Sequence, residues 1–496
     1  MMKAAPSAAS GASARTLPAE TTTPEQQSTW WVNAWRPTTR EDAYEVTRIE
    51  GRIPTELHGT LYRNGPSQKI LPEQGYEALH LFDGDGLVHA FRFDDGRLHC
   101  RGRFVENASY LAEQRAGRFS MSSVGVGVDV PSVDVPIRQQ PNTNVVYHGG
   151  RLMALVENAF PFEIDARTLA PVGEYTYDGR ALGMSTTAHP KIDGRTGQML
   201  IHGYQPVPPF VQWYVVEPDG KCSLGEIVDA PYPAMMHDFA ITQNYVIFPL
   251  CPAILDAEIL MTPGRPFGDA IRWVPELGMK LGLKRREEGA EVRWLDVPTA
   301  GYMFHPGNAY EDGDKIYMDA CVYRDPSALF ETLKTWRAGK TKPGYYAVPV
   351  LYEIDLAAGR VTDRQLDDRA CEFPRLDDRL VGYPNRYGYA LRARRGPGAA
   401  AEPWSTLVRY DRKGGPTRVH DFGAGHWPSE PVFVPRSESA PEDDGFVLCT
   451  VYDGPGDATY VAVLDAANLE AEPLAIAHLE HRIPLGFHGN FAAGVV

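Results

Sequence analysis

LVHAFRFDDGRLHCRGRFV, residues 87–105, reads as a β-hairpin: two apolar-rich strands meet at a turn built on Asp and Gly. The same texture continues outward in both directions from about Trp30. Short runs rich in Val, Ile, Tyr and Phe alternate with Gly- and Asp-containing turns. NVVYHGGRLMALVE (144–157), YVVEPDGKCSLGEIV (214–228) and AYEDGDKIYMDACVY (309–323) read as hairpins too. So do YEIDLAAGRVTDRQL (352–366) and YVAVLDAANLEAEPLAIAHL (460–479). The unit returns about once per 50 residues without strict identity, and no linker divides the series. This favours one all-β domain, a β-propeller over residues 30–496, above a pair of stacked sandwich domains. Two stretches break the pattern. Residues 253–289 are partly helical with Pro and Gly breaks and read as an insertion capping one face. Residues 324–349 open with a helix after an Asp-Pro turn. Insertions on a rigid scaffold are where binding is expected, here as the lining of a substrate tunnel.

A net charge of -15 argues against nucleic acid or an anionic membrane surface as partner, leaving at most peripheral membrane contact. Cys100, Cys222, Cys251, Cys321, Cys371 and Cys449 form no CxxC pair and sit largely in strand-like runs. They read as buried thiols of a reducing, cytoplasmic setting rather than a disulfide framework or zinc site. Residues 1–29 are rich in Ala, Ser, Thr and Pro and lack an unbroken apolar segment. They read as a disordered tail and not as a secretory signal.

Chemistry concentrates in four histidines: His189 in TTAHPKID, His237 in AMMHDFAI, His305 in YMFHPGNAY and His488 in GFHGNF. Fourteen histidines make any single one a weak signal; His58, His80, His89, His99, His148 and His202 read as ordinary. The four share constrained settings, two before Pro and one before Gly. If a fold joins them, neutral imidazoles make a site for a borderline transition metal, better suited to iron(II) and dioxygen than to a closed zinc. A ligating histidine gives its second N–H to a carboxylate or carbonyl. Glu157, Glu372 and Glu430 lie within or beside apolar residues, where a lone carboxylate is costly, and are the candidate braces. Otherwise these glutamates bind backbone N–H groups.

The chain resembles the carotenoid cleavage oxygenases, a family that includes lignostilbene dioxygenases. The matching segments run in order: GTLYRNGP (59–66), HLFDGDGLVHAFRF (80–93), NTNVVYHGGRLMAL (142–155), TAHPKID (187–193), MMHDFAIT (235–242), FHPGNAYE (304–311), EFPR (372–375), EPVFVPR (430–436) and FHGNF (487–491). The resemblance implies seven blades and one axial iron(II) held by His189, His237, His305 and His488, three of them braced by Glu157, Glu372 and Glu430. It implies that the Thr143 methyl crowds an open coordination position. It also implies that dioxygen is the co-substrate and that a conjugated C=C is split into two carbonyl products. The DGDG loop (83–86) reads as a structural turn, and there is no fingerprint for NAD, flavin or 2-oxoglutarate.

The substrate expected is a small hydrophobic conjugated molecule, first an apocarotenoid-type polyene. The alternative is a stilbene or propenyl phenol such as lignostilbene, resveratrol or isoeugenol. Phe304 and Phe487 are the expected substrate contacts; Phe160, Phe210 and Trp213 are further lining candidates. Stilbene-cleaving relatives grip the phenol with Tyr and Lys. Here Tyr110 is one of several tyrosines and Arg138 stands where a Lys is sought. A third reading, from another class, is a propeller that only binds, with structural histidines.

Overall fold

The computed structural model describes residues 30–129, 138–340, 344–394 and 404–496. The expected tail, residues 1–29, lies outside them. Seven antiparallel sheets of four or more strands form the blades. The second blade runs from strand Asn144–His148 to Pro171–Glu174. The third runs from Lys191–Ile192 to Cys222–Val228, and the fourth from Ala240–Ile241 to Val292–Val297. The fifth spans Tyr302–Asp312 to Arg360–Gln365, and the sixth Cys371–Arg375 to Arg418–His420.

The first and seventh blades each borrow a strand from the far end of the chain. Gly489–Ala493 pairs with Gly59–Ser67 of the first blade, with Asn490 opposite Tyr62. Ile49–Gly51 pairs with Ala475–His478 of the seventh, with Ile49 opposite Ala477. Both chain ends therefore close the ring, a radial arrangement that leaves only short sheet edges.

The hairpins follow their turn chemistry. Asp94 pairs with Arg97 across Asp95 (φ 49°) and Gly96 (φ 71°), the left-handed pair that a two-residue turn requires. His148 pairs with Arg151 across Gly149 and Gly150. Gly149 is needed twice, since a Cβ there would lie 2.3 Å from Gly220 Cα.

One expected boundary is corrected. The insertion after residue 253 is a two-stranded ribbon, Ala253–Leu255 with Ile271–Trp273, joined through the short helix Ala257–Leu260. It stops before Met279. Met279–Arg285 is a full strand of the fourth blade, paired on both sides. Met279, Leu281 and Leu283 are buried at period two, the pattern of a strand. The helix after Asp325-Pro326 is present as Ser327–Thr335, with Leu329 and Leu333 packed inward. All six cysteines are buried and unpaired. Among the described residues no helix is long and apolar enough to cross a membrane.

Candidate metal centre and its cavity

Around the axis, neighbouring blades touch through Gly59–Ser67 and Gly489–Ala493 against Asn144–His148, through Ala240–Ile241, Tyr302–Asp312 and Cys371–Arg375 in turn, and through Val432–Pro435 against Gly489–Ala493. The chemistry-bearing side chains stand at their starts. His189 precedes Lys191–Ile192 and His237 precedes Ala240–Ile241. His305 lies in Tyr302–Asp312, and His488 precedes Gly489–Ala493. Glu372 lies in Cys371–Arg375, Glu430 precedes Val432–Pro435, and Thr143 precedes Asn144–His148. Each blade thus supplies one residue to one end of the axis, and residues far apart in sequence meet because they hold equivalent places. Glu157 arrives separately, just beyond Arg151–Leu155 of the second blade.

The four histidines are 4–8% exposed, and one ring nitrogen from each lies within 4.8 Å of the others. The other nitrogen is committed in three of them. His305 Nδ1–H donates to Glu372 Oε2 at 2.6 Å, and His488 Nδ1–H to Glu430 Oε1 at 2.9 Å. His237 Nδ1–H donates to Glu157 Oε1. These bonds fix the tautomer and turn each Nε2 inward as a lone-pair donor. Among the described residues, buried His189 Nε2 and His305 Nε2 have no hydrogen-bond partner, a cost that a bound cation removes. Four imidazole nitrogens at this spacing, three with anchored second nitrogens, fit a divalent transition metal.

Charge around the cage supports the same fit. Burial, then the neighbouring imidazoles of His488, His237 and His305, hold His189 well below the ordinary histidine range. Burial holds His488 down to about 3, against the opposing pull of Glu430. His305 is raised: burial pushes it down, but the charge and hydrogen bond of Glu372 outweigh that. Burial pushes Glu430 up, yet Arg375 and His488 bring it well below the usual carboxylate range. Arg375 Nη1 stands 3.1 Å from Glu430 Oε2, and the Gly489 N–H donates to the same oxygen at 3.0 Å.

Sequence reasoning missed three supports. Tyr204 donates its hydroxyl to Glu157 Oε2, filling that carboxylate's second oxygen. Asp238, beside His237, approaches His189 Nδ1 at 3.9 Å while Lys191 Nζ holds it at 2.7 Å. Phe373 takes φ 56°, a strained value for a bulky residue, with its N–H on Glu372 Oε2 and its ring 5.4 Å from His305. Only Asp238 carried a visible signal, as the polar residue following His237 within apolar sequence.

A cavity of about 740 Å³ opens on the cage and reaches His237, His305, His488, Glu157 and Glu372. Thr143, Phe304 and Phe487 line it. Phe304 stands edge-on to His237 at 4.7 Å, and the Thr143 hydroxyl donates to Asn142 Oδ1 at 3.1 Å. The outer wall is largely the insertion, including Leu260 and the exposed Met261.

The profile of the retinal pigment epithelial membrane protein family matches residues 35–493. The chain belongs to the carotenoid cleavage oxygenase family. It is 33% identical over 458 residues to isoeugenol monooxygenase of Pseudomonas nitroreducens, covering 89% of this chain and 93% of that one. It is 32% identical over 497 residues to apocarotenoid-15,15'-oxygenase of Synechocystis, covering 93% and 96%. The crystal structure of cobalt-substituted Synechocystis ACO superposes with a TM-score of 0.84 at 30% identity, over 94% of this chain and 99% of that one. Lignostilbene dioxygenase of Pseudomonas brassicacearum gives 0.82 at 31%, over 93% and 98%. The chain is an oxygenase of the carotenoid-cleavage type. As in these relatives the fold is the seven-bladed propeller, and the sandwich reading is set aside.

Other candidates from the sequence fall elsewhere. Phe160 packs against Tyr177, and Phe210 and Trp213 belong to the apolar core around the third and fourth blades, not to the cavity lining. Tyr110 stacks on Phe104, and buried Arg138 pairs with Asp85 at 2.8 Å and Glu113 at 3.0 Å. The DGDG loop is structural as expected. Asp83 accepts from the backbone N–H of His80, Val124 and Gly125, and a Cβ on Gly86 would lie 2.1 Å from the Pro141 carbonyl oxygen.

Proposed function

We propose that the chain is a non-haem iron(II) dioxygenase that splits a conjugated C=C with dioxygen, one oxygen atom ending in each of two carbonyl products. The observation that carries this reading is the convergence of His189, His237, His305 and His488 at the inner end of an apolar cavity. Iron(II) held by the four Nε2 atoms would make dioxygen reactive toward the olefin, a step otherwise closed by spin.

The protein's own part is placement, dryness and charge. Glu157, Glu372 and Glu430 fix the tautomer and aim of three imidazoles and make them electron-rich. They stay outside the ligand set, so the metal keeps its full charge while negative charge close by offsets it. Phe304 and Phe487 pack the olefin against the cage, and the cavity wall excludes water from the reacting carbons. With the Thr143 hydroxyl tied to Asn142, its methyl is the group left to narrow an open coordination position.

For substrate we favour an apocarotenoid-type polyene. The cavity is large and mainly apolar, and the two groups sought for a phenol grip, Tyr110 and Arg138, are used in packing and ion pairs away from it. Cleavage of a stilbene or propenyl phenol is the second reading, favoured by the similarity to isoeugenol monooxygenase. The test is elemental analysis followed by incubation with an apocarotenal, isoeugenol and a hydroxystilbene. Iron near one per chain, with aldehydes from the polyene alone, is the expected result. No iron uptake after anaerobic reconstitution would leave a binding propeller instead.

A further inference from the structure

A second cavity, of about 280 Å³, lies beside the large one. Phe82, Met235, Ile271 and Phe304 line both, so these side chains are a shared partition. Phe82 and Phe304 meet edge to face at 6.0 Å, and Phe304 in turn touches His237. Trp273 and Phe330 extend the apolar side of the chamber, and Ser327, Glu331 and Lys334 give it an equally large polar side.

One polar group interrupts the apolar side. His80 is 5% exposed, and its Nδ1 accepts the Phe82 N–H at 3.1 Å. A nitrogen that accepts carries no hydrogen, so the proton is on Nε2. No group among the described residues accepts from that Nε2–H, and His80 lines the chamber. Burial and the nearby Arg337 hold His80 down to about 3, so the ring is an uncharged donor at neutral pH. Its backbone is fixed as well: Arg337 Nε donates to the His80 carbonyl at 3.2 Å, and Asp83 takes its N–H.

A lone neutral donor on an apolar wall selects a neutral acceptor. A hydroxyl would leave its own proton without an acceptor on the inner wall. A carboxylate would meet Glu331 on the polar side, where Lys334 already lies near both Glu331 (3.4 Å) and Asp269 (3.7 Å). The volume is at the small end of the ~300–1,000 Å³ typical of ligand sites, enough for one ring with a short side chain. We propose that the chamber binds the carbonyl end of an aldehyde, accepting from His80 Nε2–H, and that one cleavage product leaves the cage by passing Phe82 and Phe304 into it. The exit role rests on the cleavage reading; the carbonyl site does not.

The test uses the full chain and 4-bromobenzaldehyde. Crystals soaked in it should show bromine anomalous signal in the chamber, with the carbonyl oxygen in hydrogen-bond reach of His80 Nε2. Calorimetric titration should weaken about 10-fold in His80→Leu. It should stay within about 2-fold in His80→Gln, whose amide can accept from Phe82 N–H and still donate. Bromine confined to the large cavity, or equal affinity in His80→Leu, overturns the proposal. Iron-loaded protein given an olefin separates the two readings. Aldehydes formed while the chamber stays empty sink the chamber alone. A filled chamber with no cleavage sinks the oxygenase reading and leaves the carbonyl site standing.

Discussion

His488 and His189 face each other in the cage with ring centroids 4.5 Å apart, yet they are held in opposite ways. His488 stands on a chain of fixed partners: Glu430 takes its Nδ1–H, and Arg375 and the Gly489 N–H grip that carboxylate. His189 makes no carboxylate hydrogen bond among the described residues; Asp238 stops at 3.9 Å and answers to Lys191. Three other imidazoles surround His189, with centroids at 4.5 to 5.1 Å. Its direction is set by packing, that of His488 by hydrogen bonds. Asp238 already places a fourth buried carboxylate beside the cage, and Lys191 offsets its charge.

The sharpest way to break this contrast is to remove the strongly held side. Deleting residues 487–496 takes away His488 and the strand that closes the first blade. Metal content should fall from about one per chain to near none, with thermal stability lowered. His488→Ala separates the two effects, since it loses the metal but keeps the strand. Stoichiometric metal in either variant would refute the four-histidine assignment.

Glu372→Gln tests one clamp alone. Gln still accepts from His305 Nδ1–H but loses the charge that orients and enriches the ring. Metal affinity should weaken about 10- to 100-fold at neutral pH, with circular dichroism unchanged. The sign of the pH effect is opposite. Glu372 raises His305, so in the wild type protons compete with metal as pH falls through that raised value. Without the charge His305 falls, and the loss of metal on acidification should move to lower pH. Wild-type metal retention across the titration would remove Glu372 from its assigned role.

Much of this was legible in the sequence, for local reasons. Hairpins announce themselves through two-residue turns such as Asp95-Gly96 and Gly149-Gly150, so the strand-rich fold could be read residue by residue. The four histidines and three glutamates were legible as a set because each marks an inner strand, or a strand end, with a polar group in apolar surroundings. Met279–Arg285 was not, since this short strand, paired on both sides, directly follows the Pro- and Gly-broken insertion. Nor was the cavity wall. Phe160 and Phe304 look alike in sequence, and only the packing of blades sends one to a core and the other to the cage. Tyr204 reaches Glu157 from the neighbouring blade, 47 residues away, and nothing in either segment predicts that contact.

Tyr204→Phe is the next smaller perturbation. It removes one donor from Glu157 and leaves the His237 bond in place. A net hydrogen bond of about 1 kcal/mol corresponds to roughly 5-fold in metal affinity. Cobalt-loaded protein would show it as a change in visible absorption. An unchanged spectrum and affinity would mean that His237 alone orients Glu157.

Asp238→Asn should do least, and that small effect is the real test of the contrast. The amide keeps an oxygen for Lys191 and removes only a charge that lies 3.9 Å from His189. If packing sets the direction of His189, metal affinity should change by no more than about 3-fold, below one ordinary hydrogen bond. Burial keeps His189 neutral with or without Asp238, so its competition with protons should also be unaltered. A loss as large as that of Glu372→Gln would show that Asp238 clamps His189 through an intervening water. The cage would then have four carboxylate braces, with Lys191 doing for the fourth what Arg375 does for Glu430.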